Sequence, residues 1–231
     1  MDQIMTDKKV VSLFDVASET PDYLKGIGTV PTGNEQVTGD DLALPQLKLL
    51  QPMSPAVVED GAPVGKFFDT VSNETFDAVY VINLRYTAEA TIWMKRAAGG
   101  GMVARYDTVK EAQAAMADMT NKADVEIVET SIHDLLRLDR ATGEIVTPCR
   151  YFMTGTARQT SRSWNSMIMK KSELAPRYAS VWDLSVERKT NNKGTWFVPQ
   201  VTWLAWADES LFNQALSIFK ETDAEALPSP A

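Results

Sequence analysis

Nine cations and seven aromatic rings crowd the stretch from Arg150 to Phe197. The cations are Arg150, Arg158, Arg162, Lys170, Lys171, Arg177, Arg188, Lys189 and Lys193, and only Glu173, Asp183 and Glu187 oppose them. The rings are Tyr151, Phe152, Trp164, Tyr178, Trp182, Trp196 and Phe197. Basic side chains attract phosphates without reading sequence and aromatic faces stack on unpaired bases, so the combination suits a groove for single-stranded nucleic acid. A second concentration, Arg85, Tyr86, Trp93, Lys95, Arg96, Arg105 and Tyr106, surrounds the triplet Gly99-Gly100-Gly101. Read as a strand, residues 91–96 put Trp93 and Lys95 on one face by their period of two. The two clusters name Lys95, Arg96, Arg105, Arg158, Arg162, Lys170, Lys171, Arg188 and Lys193 as phosphate-tracking residues. Trp93, Tyr106, Trp164, Trp182 and Trp196 are the stacking candidates. A mixed fold also draws rings into its core, and about two or three of these belong there.

Other chemistries find less support. The single histidine, His133, sits beside Asp134; a lone histidine on a partly apolar segment is more often structural or exposed than a base. No GxSxG turn, no GxxxxGK[ST] loop and no GxGxxG fingerprint occurs in the sequence, so nucleophile-elbow, P-loop and dinucleotide sites are not indicated. One cysteine, Cys149, and one histidine leave neither an intramolecular disulfide nor a Cys/His zinc site. Asp183, Glu187 and Lys189 share a strand face by period two, which keeps a metal-dependent nuclease as an enzyme alternative. A non-enzymatic protein without a cofactor is the first reading.

The elements that must position these residues follow from pattern. Residues 1–39 have one apolar patch, Val10 to Val16, followed by a Gly/Pro/Thr-rich run, and read as a flexible acidic arm. A core of residues 40–220 starts with the strand-like LALPQLKLLQ. It continues through a meander over residues 66–71, 76–86, 91–96 and 102–106, then a helix over 108–119 capped by Asp107 or Thr108. Residues 125–130 read as a strand, 132–138 are ambiguous, and 145–156 form a strand interrupted at Pro148. A helix capped by Thr160 or Ser161 presents Trp164, Met167, Ile168 and Lys171 on one face. Strands over 181–189 and 195–206 flank the loop Asn191-Asn192-Lys193-Gly194, with Pro199 requiring an edge or a bulge. An amphipathic helix over 209–219 precedes a disordered tail, 221–231. Strands arriving in runs with about three single helices indicate an α+β fold, mainly an antiparallel sheet or a partly open barrel. An oligonucleotide-binding barrel of about five strands is one compatible form.

Charge is uneven. Residues 1–47 carry eight acids and three bases, 208–231 carry five acids and one base, and the chain as a whole has net charge −8. The acidity thus lies at the ends, around a middle whose later part is basic, an arrangement that lets the ends compete with nucleic acid or recruit basic partners. No apolar run reaches the length of a membrane span and the first residues lack the apolar region of a secretion signal, so the expected place is the cytoplasm, away from membranes. A virion structural or assembly protein, using the same charges for protein contacts, is the alternative from another class.

Three segments carry a family resemblance: LALPQLKLLQPMSPAVVEDGAPVGKFFDTVSNETFD, IWMKRAAGGGMVARYDT and TSRSWNSMI. The opening LPxLxLLQxxSP, the aromatic and basic strand before GGG and the helix with Arg-x-Trp-Asn-x-Met resemble single-stranded DNA-binding proteins of tailed bacteriophages, some of which regulate viral transcription. The resemblance covers roughly residues 40–170. It implies sequence-independent binding of single-stranded DNA in the host cytoplasm, self-association into a homo-oligomer, and a viral RNA polymerase or replication proteins as partners. The tail LPSPA departs from the dense acidic ending of better-known phage single-strand binders.

Overall fold

Two long strands, β4 (Val79–Met94) and β6 (Val125–Leu138), pair antiparallel along most of their lengths and form the spine of a nine-stranded sheet. The computed structural model describes residues 33, 35–37, 41, 43–192 and 194–224. The chain divides into a unit of residues 1–42 and a unit of residues 43–231. Of the first, the described part includes a turn in which the Gly33 N–H donates to Glu35 Oε1 at 3.1 Å. The rest of the expected arm, the far end of the tail, and Lys193 lie outside the described residues.

The remaining strands are β1 (Gln46–Leu49), β2 (Phe67–Asp69), β3 (Thr75–Phe76), β5 (Met102–Tyr106), β7 (Ile145–Met153), β8 (Ser180–Asn191) and β9 (Gly194–Trp206). Their order is β3-β2-β1-β7-β6-β4-β8-β9, with β5 pairing β4; β1 runs parallel to β7 and every other pairing is antiparallel. The sheet curls into a half-barrel, which makes the fold α+β as the pattern indicates, although with nine strands rather than about five.

Two segments read as separate strands are single ones. Residues 76–86 and 91–96 belong mostly to β4, whose exposed middle, Tyr86 to Ala88, looks like a break in sequence but stays paired to β6. The ambiguous 132–138 is likewise the buried half of β6. Pro148 sits inside β7, facing Leu136 on one side. On the other side β1 is in register only with Arg150 and Tyr151, so the missing N–H falls beyond β1.

Four helices complete the unit: α1 (Pro55–Val58), α2 (Val109–Ala117), α3 (Ala157–Ser172) and α4 (Glu209–Ala224). Thr108 caps α2 in a reciprocal capping box with Glu111. Helix α3 begins at Ala157, before the expected caps, because the hydroxyls of Thr160 and Ser161 serve tertiary contacts: Thr160 Oγ1 donates to Pro199 O at 2.9 Å and Ser161 Oγ lies 2.8 Å from His133 Nε2. Helix α4 runs on through 221–224, where the tail was expected to begin.

Three clusters hold the sheet. The largest joins Val81, Leu135, Tyr151 and Trp182 of the sheet to Trp164 and Ile168 of α3. A second sets Ile82, Leu84 and Leu136 against Ala215 and Leu211 of α4; a third packs Ala90 and Ile92 on Ala112 of α2. Cys149 is buried in the first, and burial pushes its thiol up to about 12. No helix among the described residues is long and apolar enough to cross a membrane.

Candidate nucleic-acid interface

At the end of β9 the chain reads Trp203-Leu204-Ala205-Trp206. In a regular strand, residues three apart point to opposite faces. Here Trp203 pairs with Trp182 and Trp206 with Ser180, two residues apart on β8, so a bulge at Leu204 puts both rings on one face. The rings meet edge to face with centroids 6.0 Å apart. Over them lies the last turn of α3: Lys171 Nζ is 3.7 Å from the Trp203 centroid and 5.2 Å from that of Trp206. Trp206 remains 40% exposed. A cation held against two aromatic rings, one of them exposed, is an arrangement able to combine a phosphate ligand with a stacking platform.

Earlier along α3 and β9, towards the N-terminus of each, the surface between the two elements is hollowed. Two adjoining hollows, of about 600 and 430 Å³, share Thr156 and Trp196. The first is walled by Phe152, Trp196 and Phe197, the second by Gln159, Ser163 and Met167 of α3. Trp196 Nε1 is buried without a hydrogen-bond partner. Lys170 continues the 163, 167 series of the groove side and is exposed, with no ion-pair partner among the described residues.

The other predicted residues fall in four places. Trp164 and Trp182 are core, both 0% exposed and edge to face at 6.0 Å. They fill the space between α3 and the sheet, so they cannot stack on a base. Arg158 is half-buried in an ion pair with Glu129, which occupies its charge. Arg162 is exposed but departs from the groove-side series. Arg188 is exposed on β8.

The hairpin of β4 and β5 forms a separate surface. Trp93, 39% exposed, faces Met102 across the ladder, and Arg105 pairs with Glu89 at 3.3 Å. The three glycines at its tip all have positive φ with open space around them. Trp93 and Lys95 do not share a strand face. The strand ends at Met94, and Lys95 turns back to donate to Ala123 O at 2.6 Å. Arg96 is exposed in the 3-10 turn that follows. Tyr106 packs on the α2 cluster rather than standing as a free platform.

His133 is structural. It is fully buried and its ring stacks on Trp164 at 4.7 Å. Asn83 Nδ2 donates to Nδ1 at 2.9 Å, since Asn83 Oδ1 already accepts from Arg177. The ring proton therefore sits on Nε2 and is given to Ser161 Oγ at 2.8 Å. An imidazole whose acceptor nitrogen faces an amide cannot take a proton from that serine. Burial, and then the Arg177 charge, bring its pKa down to about 3. On β8, Asp183 pairs with Arg140, while Glu187 binds Lys189 and Gln200; no group of three metal-ligating side chains occurs among the described residues.

Trp203 and Trp206 are not among the candidate residues that the sequence marks. The Trp-x-x-Trp spacing was visible, but its meaning depends on the bulge.

A family model described as Pam3 phage gp34-like protein matches residues 14–227. No curated protein and no solved structure gives a significant match to the chain.

Proposed function

The chain belongs to the Pam3 phage gp34-like family and is a bacteriophage protein, and from that premise we propose that it binds single-stranded DNA without reading its sequence. The observation that carries this reading is the Lys171 ammonium over the Trp203 and Trp206 rings, on the same two elements, α3 and β9, that wall a groove containing Trp196. Helix α3 has 16 residues and is about 24 Å long, a track for several nucleotides of a strand. Bases would stack on Trp206 and Trp196 while Lys170 and Lys171 follow the phosphates. The hairpin with Trp93 and Arg96 is a second contact for a longer strand. The protein would act in the cytoplasm of the infected cell as a homo-oligomer, supporting viral transcription or replication alongside a viral polymerase or replication proteins. No catalytic step is part of this proposal.

Mobility shifts with single-stranded DNA, duplex DNA and RNA at about 50 and 200 mM salt test it. Preference for the single strand and a steep loss of affinity with salt are expected. Equal affinity for duplex, or binding indifferent to salt, overturns it.

A further inference from the structure

Arg177 is a half-buried cation that meets no carboxylate among the described residues. Pro176 fixes the backbone ahead of the 3-10 turn Arg177–Ala179, and the turn sends the guanidinium inward between β4 and α3. There Nη1 donates to Asn83 Oδ1 at 3.1 Å and Nη2 to Asn165 Oδ1 at 2.9 Å. No ion pair reaches it from the described residues. Burial pulls its pKa down, and the opposing influence is the Tyr86 phenol rather than an acid. Of the five N–H donors of a guanidinium, these two bonds engage two, which leaves three. A desolvated cation held by neutral amides is placed to receive an anion from outside the chain.

Beside it opens a surface hollow of about 530 Å³, walled by Arg85, Tyr86, Arg177, Tyr178 and Phe219. Its rings are already used as cation platforms. The Arg177 guanidinium carbon is 5.9 Å from the Tyr86 centroid and that of Arg85 is 5.3 Å from the Phe219 centroid. Tyr86 is 36% exposed, while Tyr178 is stacked on Phe212 and Phe219 and so holds that wall rigid. Two guanidinium groups and an accessible ring converge on one opening.

We propose that this hollow binds a nucleoside phosphate, with the Arg177 N–H groups that Asn83 and Asn165 leave over on the phosphate oxygens and the Tyr86 ring against the base. The site is separate from the α3–β9 groove and stands whether or not a strand binds there. The same chemistry is offered by a free nucleotide and by a nucleotide unit of a longer strand.

Calorimetric titration of the full-length protein with dTMP, thymidine and inorganic phosphate tests the proposal. Only dTMP carries both recognised parts, so it is expected to bind about tenfold more tightly than thymidine or phosphate. Arg177→Lys keeps the charge but loses these N–H groups, and is expected to weaken dTMP about tenfold while leaving thymidine unchanged. Tyr86→Ala is expected to weaken dTMP and leave phosphate unchanged. This exposed position keeps the test valid if Arg177→Lys does not fold. Binding of dTMP no tighter than thymidine, or unchanged dTMP binding by Tyr86→Ala, overturns the site. Displacement of bound dTMP by an oligothymidylate assigns the site to a strand, and the absence of displacement to a free nucleotide. A protein that binds dTMP but no oligonucleotide keeps this site and loses the groove reading.

Discussion

Gln51 takes the place of a neighbouring strand for Phe197: its side-chain amide donates to Phe197 O at 2.9 Å and accepts from Phe197 N–H at 2.9 Å. Two residues on, Pro199 has no N–H to offer and its carbonyl is taken by Thr160. The outward edge of β9 is therefore closed locally by an amide, a proline and a hydroxyl, which protects it from pairing with another chain. Gln51→Ala is expected to destabilise the protein by about 1–3 kcal/mol, because it leaves two part-buried backbone groups unpaired. Urea unfolding measures the loss; a change below about 0.5 kcal/mol, the level of ordinary surface substitutions, contradicts the account.

A pair of glycines separates backbone strain from contact. Gly65 and Gly61 have φ of 77° and 71°. A Cβ on Gly65 would lie 2.5 Å from Phe197 Cε1, whereas one on Gly61 meets nothing within 4 Å. Gly61→Ala is expected to cost about 1–2 kcal/mol from the left-handed backbone alone. Gly65→Ala adds about 1–3 kcal/mol of overpacking against a phenyl ring whose backbone Gln51 fixes. Thermal unfolding of the two variants compares them, and equal losses would show that Phe197 yields freely.

Much of this fold was legible because local chemistry and tertiary context agree. Asp107 or Thr108 announces the start of α2, the Asn-Asn-Lys-Gly loop announces the β8–β9 hairpin, and Pro199 announces an edge or a bulge. What stayed hidden depends on contacts distant in sequence. Trp164 and Trp182 stand among cations in the chain, but their rings turn inward, because exposure is set by what packs on a residue rather than by its neighbours in sequence. Trp203 and Trp206 face the same way only through the bulge at Leu204, which no residue type signals. Arg177 looks like one more surface cation until the fold brings Asn83, 94 residues away, to its guanidinium.

The histidine provides a pH test with one resonance to follow, since the chain has a single histidine. Burial and the nearby Arg177 lower the His133 pKa from 6.5 to about 3. The unfolded chain takes up this proton below 6.5 and the folded chain does not, so the contribution is fully present above 6.5 and is lost as pH falls towards about 3. The slope is about 1.4 kcal/mol per pH unit, or about 2 kcal/mol lost by about pH 5. Urea unfolding at about pH 7.5 and 5 should show this, and the imidazole proton resonance should stay unshifted across the same range. A resonance that titrates near 6.5 would mean that the Asn83–His133–Ser161 network is open in solution.

The groove reading distinguishes cations that look alike in sequence. Lys171→Ala removes the ammonium over Trp203 and Trp206 and is expected to lower the salt slope for single-stranded DNA by about 0.7, the share of one phosphate contact. Arg158→Ala is expected to leave that slope unchanged, because Glu129 already holds the guanidinium. Trp206→Ala removes an exposed platform and is expected to weaken binding by about 1–3 kcal/mol, similarly for all base compositions. It should also remove part of the tryptophan fluorescence quenched by DNA, a signal to which the buried Trp164 and Trp182 contribute little. Salt titrations of the three variants, with circular dichroism to confirm folding, give the comparison. If Arg158→Ala lowers the slope and Lys171→Ala does not, the strand follows the opposite side of α3, where Arg158 and Arg162 lie, and the rings of β9 have no part in holding it.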